Sequence, residues 1–154
     1  MAQPLVSIVT VNYKQAEVTC ELLSSINQLK YKNLEVIVVD NESTVDNTKL
    51  FQEFLPSVTV MRSQENLGFA GGNNLALAKA NGAYVLLLNN DTILPEGSLE
   101  SLLGEMSHTG VAAISPVIKY YDQPDLIQYA GFTELNRFTG RNKLIKKPLK
   151  DRQS

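Results

Sequence analysis

The sequence predicts an open, mostly parallel α/β sheet with helices on both faces. Two observations carry this prediction. Strand-like and helix-like segments alternate at intervals of about 25 residues, and the apolar runs are continuous, as in strands that are covered on both faces. The 154 residues are enough for one sizeable hydrophobic core. We therefore expect one folded domain over residues 1–136, followed by a segment of different character over residues 137–154.

Short runs of β-branched and apolar residues mark the predicted strands. These runs cover residues 6–11, 34–39, 58–61, 84–88 and 111–114. The run at 84–88 is expected to form the most buried strand. A further strand is expected within residues 117–121, after which the pattern weakens.

Helix signals follow the strands in order. A stripe at spacings of four, four and three residues predicts a first helix over residues 15–29. Ser43 and Asp46 have the spacing of a helix start, so the second helix is expected to begin there. An alanine-rich segment predicts a third helix over about residues 73–80, and Pro95 is expected to open a fourth.

Composition excludes several classes of protein. The longest apolar run, residues 83–88, is far too short to cross a bilayer, and the first residues lack the layout of a signal peptide. Cys20 is the single cysteine and cannot form an internal disulfide, which fits a reducing compartment. We expect a soluble, cytoplasmic protein.

Charge is distributed unevenly along the chain. Residues 1–136 hold 7 basic and 15 acidic residues, whereas residues 137–154 hold 7 basic residues and one acidic residue. An acidic body with a basic tail does not fit a nucleic-acid-binding domain. Two explanations of the tail stay open: a solvated linker, or a segment that contacts an anionic membrane surface.

Polar clusters end the predicted strands, where open α/β sheets bind ligands. The clusters cover residues 10–14, 40–43, 65–74 and 89–92. In the last of them, Asp91 follows Asn89 and Asn90, so one carboxylate stands beside two amides. Mg²⁺ commonly uses one or two protein carboxylates and completes its shell with water and phosphates, so a diphosphate ester is the natural partner of this cluster.

Each cluster alone has a simpler interpretation. Asp91 could cap the turn before a helix, and residues 40–43 could form an ordinary strand-to-helix turn. The glycines Gly68, Gly71 and Gly72 lack the spacing of a dinucleotide-binding fingerprint. The four clusters on consecutive strands argue together for a ligand site.

The order of these clusters resembles the donor-binding part of inverting glycosyltransferases of family 2, which have the Rossmann-like GT-A fold. Within that family, the sequence is most similar to the rhamnosyltransferase-like branch. The resemblance is carried by Val-Ser-Ile-Val-Thr-Val-Asn-Tyr at 6–13, Val-Val-Asp-Asn-Glu-Ser-Thr at 38–44, Glu-Asn-Leu-Gly-Phe-Ala-Gly-Gly-Asn-Asn at 65–74 and Leu-Leu-Leu-Asn-Asn-Asp-Thr at 86–92. It covers about residues 5–131.

The resemblance implies a role for each cluster. Thr10, Val11 and Asn12 would line a pyrimidine base, and Asp40 with Asn41 would hold the base and the ribose edge. The glycine-rich stretch would wrap the sugar diphosphate, and the residues expected to bind it are Gly68, Gly71, Asn73 and Asn74. Asn89, Asn90 and Asp91 stand where the family has its Asp-x-Asp motif. Asp91 would bind Mn²⁺ or Mg²⁺, with Asn89 offering only a neutral oxygen.

Two departures from the family pattern affect the expected chemistry. Val45 lengthens the usual Ser-Thr-Asp turn by one residue, which leaves the register of Asp46 open. Family members usually run to roughly twice this length, with the catalytic base in the later half. No late carboxylate matches that base, so the base is expected beyond Ser154.

The resemblance implies a glycosyltransferase of the hexosyltransferase type that moves a sugar from a UDP- or dTDP-sugar with inversion. The acceptor would be a polysaccharide or a lipid-linked carbohydrate in cell-surface polysaccharide synthesis, at the inner face of the cell membrane if the chain associates with it. Two alternatives stay open. One is a non-catalytic nucleotide-sugar-binding module. The other is a nucleotidyltransferase, which is less favoured because residues 12–15 lack a basic glycine-rich loop.

Overall fold

The computed structural model describes residues 3–108 and 110–146. The chain divides into two compact units, Met1–Leu99 and Glu100–Ser154. This division reflects packing. The predicted boundary at residue 136 rests on charge and on the family resemblance, and that boundary stays a prediction. Residues 147–154 of the predicted basic tail lie outside the described residues.

The first unit contains a four-stranded parallel sheet in the order β3-β2-β1-β4. Its strands are β1 (Val6–Asn12), β2 (Leu34–Asn41), β3 (Thr59–Ser63) and β4 (Tyr84–Asn89). Its helices are α1 (Ala16–Asn27), α2 (Thr48–Phe54) and α3 (Gly68–Leu77). The predicted α/β class is confirmed.

Strand alternation assigns the helices to opposite faces of the sheet. Val9, Ile37 and Val39 pack against Ala76 of α3 in one buried cluster. The intervening side chains point the other way, and Asn12 among them contacts Thr19 of α1. Helix α2 packs beside α1. The expectation of helices on both faces is therefore also confirmed.

Helix α4 (Ser98–Met106) crosses the boundary between the units, and its residue Leu99 is buried. It begins three residues after Pro95, because Gly97 adopts a φ of +81° and completes a turn first. The second unit also contains the antiparallel strands β5 (Ile118–Lys119) and β6 (Ile127–Tyr129). Tyr129 and Phe132 pack edge to face there, with ring centroids 5.4 Å apart. Within the described residues, no helix is long and apolar enough to cross a membrane.

Two strand predictions are wrong. Residues 111–114 form no strand, because they meet no ladder partner among the described residues, and Val111 and Ile114 remain 37% exposed. The further strand expected within residues 117–121 does form, and it covers Ile118–Lys119. Strand β4 is not the most buried strand, because it lies at an edge of the sheet and leaves Val85 and Leu87 exposed.

Two helix starts also differ from the prediction. Helix α2 begins at Thr48 rather than near Ser43, because the Ser43 hydroxyl donates to Asp40 instead of capping a helix. Asp46 accepts the Thr48 backbone N–H at 2.9 Å, next to the start of this helix. Helix α3 begins at Gly68, five residues before the predicted start.

A polar cluster at the amino-terminal side of the sheet anchors the turn between α3 and β4. Glu35 accepts hydrogen bonds from the Ser7 hydroxyl, from the backbone and side-chain nitrogens of Asn81, and from the Gly82 N–H at 3.1 Å. Burial acts to raise the pKa of Glu35, but these hydrogen bonds together outweigh it and hold the pKa below its ordinary value. The ionised carboxylate is therefore the form that the folded chain prefers.

Glu35→Gln is expected to lower the stability of the chain at pH 7 by about 1 kcal/mol, since it removes charged hydrogen bonds at a partly exposed site. Because the folded-state pKa is depressed, this stabilisation is present above the unfolded-state pKa and is lost as the pH falls through the folded value. The difference between wild type and variant should shrink between about pH 5 and pH 3. Urea unfolding at several pH values measures it. A difference that stays constant across that range would contradict the assignment.

Candidate functional site

The candidate site lies at the carboxyl ends of β1, β2 and β4, which end side by side in the parallel sheet. Asn12 and Asp40 occupy directly paired positions on β1 and β2. The Asn12 amide Nδ2 donates to Asp40 Oδ1 at 2.7 Å. The two residues predicted at these strand ends are therefore brought together by the fold.

Asp40 is fully buried, and its carboxylate oxygens are engaged by neighbouring side chains. Ser43 donates to Oδ1, and Asn47 donates to Oδ2 at 3.0 Å. These contacts compensate for the removal of the carboxylate from water. Asp40 thus organises the polar end of β2, and its predicted contact with a ligand stays a prediction.

Asn41 faces the other side of the sheet, because successive side chains of a strand alternate. Its Nδ2 donates to Asn66 Oδ1 at 2.8 Å, and its Oδ1 accepts the Leu67 N–H at 2.9 Å. Asn66 Oδ1 also accepts the Gly68 N–H at 2.9 Å. Asp40 and Asn41, predicted to act together, lie in two separate hydrogen-bond networks.

The second network explains why α3 begins early. The first N–H groups of a helix need partners outside the helix, and Asn41 and Asn66 supply them at Leu67 and Gly68. The predicted glycine-rich loop is therefore mostly the first turns of a helix. Gly68, at φ +65°, forms the bend into the helix, and Gly71 lies within the helix. The binding of the sugar diphosphate predicted for Gly68 and Gly71 stays a prediction.

Gly72 lets α3 approach the sheet closely. A Cβ atom at Gly72 would lie 2.9 and 3.0 Å from the two Cγ atoms of Val11. Val11, predicted at the ligand, is half-buried beneath this helix. The glycine therefore sets the distance between α3 and the end of β1.

Two buried polar atoms have no hydrogen-bond partner among the described residues: Thr10 Oγ1 and Asn73 Oδ1. Thr10 is fully buried within the sheet, between β2 and β4, so its predicted contact with a base stays a prediction. Asn73 is 4% exposed, and its Nδ2 donates to the Phe69 carbonyl at 2.8 Å. Asn74, on the same helix, is exposed.

The end of β4 presents the predicted metal ligand to solvent. Asp91 is exposed, as is Asn89, while Asn90 is half-buried. The Asn90 amide Nδ2 donates to the Thr19 hydroxyl at 3.1 Å, which leaves its Oδ1 as a neutral acceptor. One carboxylate with neutral oxygens fits a hard divalent cation that draws further ligands from phosphates. Among the described side chains, no group of three or more His, Cys, Asp and Glu forms a metal site.

Two adjacent loops at this edge have left-handed backbone at non-glycine residues. Lys14 has a φ of +56° and Glu42 a φ of +57°, and their side chains form an ion pair at 3.4 Å. The Lys14 ammonium also lies 4.8 Å from the centre of the Tyr13 ring. Hydrogen bonding to Tyr13 and Glu42 raises the pKa of Lys14. A cavity of about 260 Å³ opens beside these loops, lined by Lys14, Ala16, Ser43, Thr44, Val45 and Asn47.

Sequence reasoning missed several residues that shape the two networks and the packing of α3. Ser43, Asn66 and Gly72 lie inside motifs that were recognised, so inspection of every polar and small residue of those motifs could have found them. Thr19 and Asn47 carry no comparable signal, because they lie in helical or turn segments with ordinary patterns.

The sequence model of glycosyl transferase family 2 matches residues 7–152. The chain belongs to this family. The match covers most of the chain, which is therefore a family 2 glycosyltransferase domain.

Among curated relatives, the putative teichuronic acid biosynthesis glycosyltransferase TuaG of Bacillus subtilis is 28% identical over 141 residues, covering 82% of this chain and 56% of that protein. The UDP-Glc:alpha-D-GlcNAc-diphosphoundecaprenol beta-1,3-glucosyltransferase WfgD of Escherichia coli is 30% identical over 110 residues, covering 70% and 43%. Relatives of this domain thus include glycosyltransferases of polysaccharide and lipid-linked sugar synthesis. The chain spans about half the length of these relatives or less.

Among solved structures, the mannosyltransferase PcManGT from Pyrobaculum calidifontis, in complex with GDP-Man and Mn²⁺, superimposes with a TM-score of 0.68. It is 27% identical, and the match covers 77% of this chain and 36% of PcManGT. The GT-A fold of this glycosyltransferase domain is therefore shown.

Proposed function

We propose that this chain is the donor-binding, N-terminal region of an inverting glycosyltransferase of the hexosyltransferase type, in the rhamnosyltransferase-like branch of family 2. The donor is a UDP- or dTDP-sugar, and the acceptor is a polysaccharide or a lipid-linked carbohydrate of the cell surface. The similarity to TuaG and WfgD supports the acceptor class. The name of WfgD gives UDP-Glc as its donor, which supports a uridine nucleotide.

The observation that carries this proposal is the meeting of three strand ends in one polar network. Asn12 and Asp40 join β1 to β2 at 2.7 Å, and Thr19 joins Asn12 to Asn90 beyond β4. Asp91 follows Asn90 and projects into solvent at the same edge. The network thus places hydrogen-bonded amides and the buried Asp40 carboxylate near the exposed carboxylate of Asp91. This combination suits the recognition of a nucleotide diphosphate with a cation.

In this proposal, Asp91 holds Mn²⁺ or Mg²⁺, with Asn89 and Asn90 Oδ1 as neutral oxygens nearby. The cation would supply charge stabilisation to the departing diphosphate. Asn12 and Asp40 orient the base and ribose side of the donor, and the partial positive charge at the amino-terminal end of α3 favours the phosphates. The PcManGT complex, which contains Mn²⁺ with a nucleotide sugar, supports this arrangement.

The acceptor and the general base belong to the part of the proposed enzyme beyond the donor site. A base must lie within hydrogen-bond reach of the acceptor hydroxyl. Asp122, Asp125 and Glu134 lie in the second unit, and none is assigned this role. We place the base beyond Ser154, in a region corresponding to the additional length of the relatives.

We further propose that the enzyme works at the cytoplasmic face of the membrane, where a lipid-linked acceptor would be presented. Four basic residues of the second unit, Arg137, Arg141, Lys143 and Lys146, are exposed. Each basic residue near an anionic surface contributes on the order of 1 kcal/mol. Sedimentation with anionic and neutral vesicles tests this point directly.

Calorimetric titration of the chain tests the donor site. UDP, dTDP and GDP are titrated with and without Mn²⁺. The proposal expects UDP or dTDP to bind more tightly than GDP and to require the metal. A folded chain that binds GDP preferentially would overturn the proposed donor, and one that binds none of the three would overturn the donor-site assignment for this chain.

A further inference from the structure

Thr19 has a buried hydroxyl at the centre of the first network, although it lies on a helix and not at a strand end. Its side chain is fully buried in α1. The hydroxyl lies 3.0 Å from Asn12 Oδ1 and 3.2 Å from the Gln15 carbonyl, and it accepts from Asn90 Nδ2 at 3.1 Å. The single hydroxyl hydrogen and a lone pair are therefore both used.

The hydroxyl links two amides and fixes which way the second one points. The Asp40 carboxylate only accepts and the Gln15 N–H only donates, so Asn12 turns its nitrogen toward Asp40 and its oxygen toward Gln15 and Thr19. The Thr19 hydroxyl therefore donates to Asn12 and keeps a lone pair for Asn90. Asn90 turns its nitrogen toward Thr19, so its oxygen points elsewhere. A rotation of either amide by half a turn would place two like groups against each other and leave buried polar atoms unpaired.

Asn90 also ties its loop to the body of the domain. It lies between the end of β4 and the exposed Asp91, and its bond to Thr19 joins this segment to α1. Asn12 ties the end of β1 to the same hydroxyl. One side chain therefore connects the loop of the proposed metal ligand with the strand end of the proposed base site.

We propose that Thr19 is a positioning residue, which holds Asn12 and Asn90 in fixed orientations and so places Asp91 for its cation. The inference rests on the proposed function, since Asp91 acquires its role there. Thr19 does not touch the ligand and acts through its two amide partners.

The test compares Thr19→Val, which keeps the branched shape and removes the hydroxyl, with Thr19→Ser, which keeps the hydroxyl. Ile26→Val is the matched control, because Ile26 is buried in the same helix and belongs to neither network. Backbone ¹⁵N relaxation of residues 89–92 is measured without ligand. UDP binding in the presence of Mn²⁺ is measured by calorimetry on the same four proteins.

In Thr19→Val, the order parameters of residues 89–92 should fall from about 0.85 toward 0.6 or below, as a rigid segment becomes mobile. Thr19→Ser and Ile26→Val should retain wild-type values there. Mn²⁺-dependent UDP binding should weaken by about 10- to 100-fold in Thr19→Val, the range typical when a partner of a metal-ligating group is lost. It should change less than about threefold in the other two.

The loop measurement decides whether Thr19 positions the loop, and the binding measurement decides whether that positioning acts on the cation site. If residues 89–92 are as ordered in Thr19→Val as in Ile26→Val, Thr19 does not position the loop and the inference is overturned. If the loop loosens while even the wild-type chain binds no UDP, the positioning role stands and the proposed function fails. If the loop loosens and UDP binding is unchanged, Thr19 does not act on the cation site, which also overturns the inference.

Discussion

Asp91→Asn is expected to weaken Mn²⁺-dependent UDP binding by about 100-fold or more. The reason is that Asp91 supplies the one carboxylate of the proposed cation site, while Asn89 and Asn90 offer only neutral oxygens. Loss of a group that merely supports a ligand costs 10- to 100-fold in metal affinity, so loss of the ligand itself should cost at least the upper value. Calorimetry with and without Mn²⁺ measures this effect.

The matched control is Asp122→Asn, which removes an exposed carboxylate from the second unit with the same change of charge. It should bind UDP as the wild type does. Both variants should unfold at the wild-type urea concentration, because neither carboxylate is buried. Asp91→Asn that still binds UDP with full metal dependence would remove Asp91 from the site.

Gly82→Ala is expected to destabilise the chain by about 3 kcal/mol, the upper range for overpacking. A Cβ atom there would lie 2.5 Å from both the backbone nitrogen and the Oγ of Ser7, and 2.6 Å from the Tyr84 carbonyl oxygen. Two of these three atoms are backbone, so a rotamer change cannot relieve the contact. Movement of the turn would also break the 2.8 Å bond from Gly82 N–H to the Ser7 hydroxyl.

Gly104→Ala provides the control, because a Cβ atom at Gly104 in α4 would have nothing within 4 Å. Alanine is the better helix former by about 0.5–1 kcal/mol, so this variant should be slightly more stable than the wild type. Urea unfolding followed by circular dichroism compares the three proteins. Equal midpoints for Gly82→Ala and wild type would show that the turn accommodates a methyl group.

The fold could be predicted because its main signals are local. Each parallel strand is a short apolar run, and each run ends in a polar cluster whose position the sheet then fixes. The edge position of β4 could not be read in this way, because a run such as 84–88 has the same composition whether one neighbour is present or two. The expected strand at 111–114 failed for a related reason, since apolar residues form a strand only beside a ladder partner.

The sequence allowed us to predict which strand ends form the site, but not which side chains contact each other there. Asn12 and Asp40 were assigned to one site, and the fold places them in direct contact. The early start of α3 depends on Asn41, 26 positions before Leu67, and no local pattern contains that contact. Thr19 could not be identified from the sequence for the same reason, because its partners Asn12 and Asn90 lie at the ends of two strands.

The opposite orientations of Asp40 and Asn41 bear on how this domain can change during evolution or engineering. A single insertion or deletion within β2 would exchange the two side chains between faces, so that each network would receive the wrong partner. Residues 44–46, in contrast, are exposed and lie beyond the end of β2, between Ser43 and Asn47, which both donate to Asp40. Changes of length are therefore best accommodated there, where the additional Val45 already stands 66% exposed.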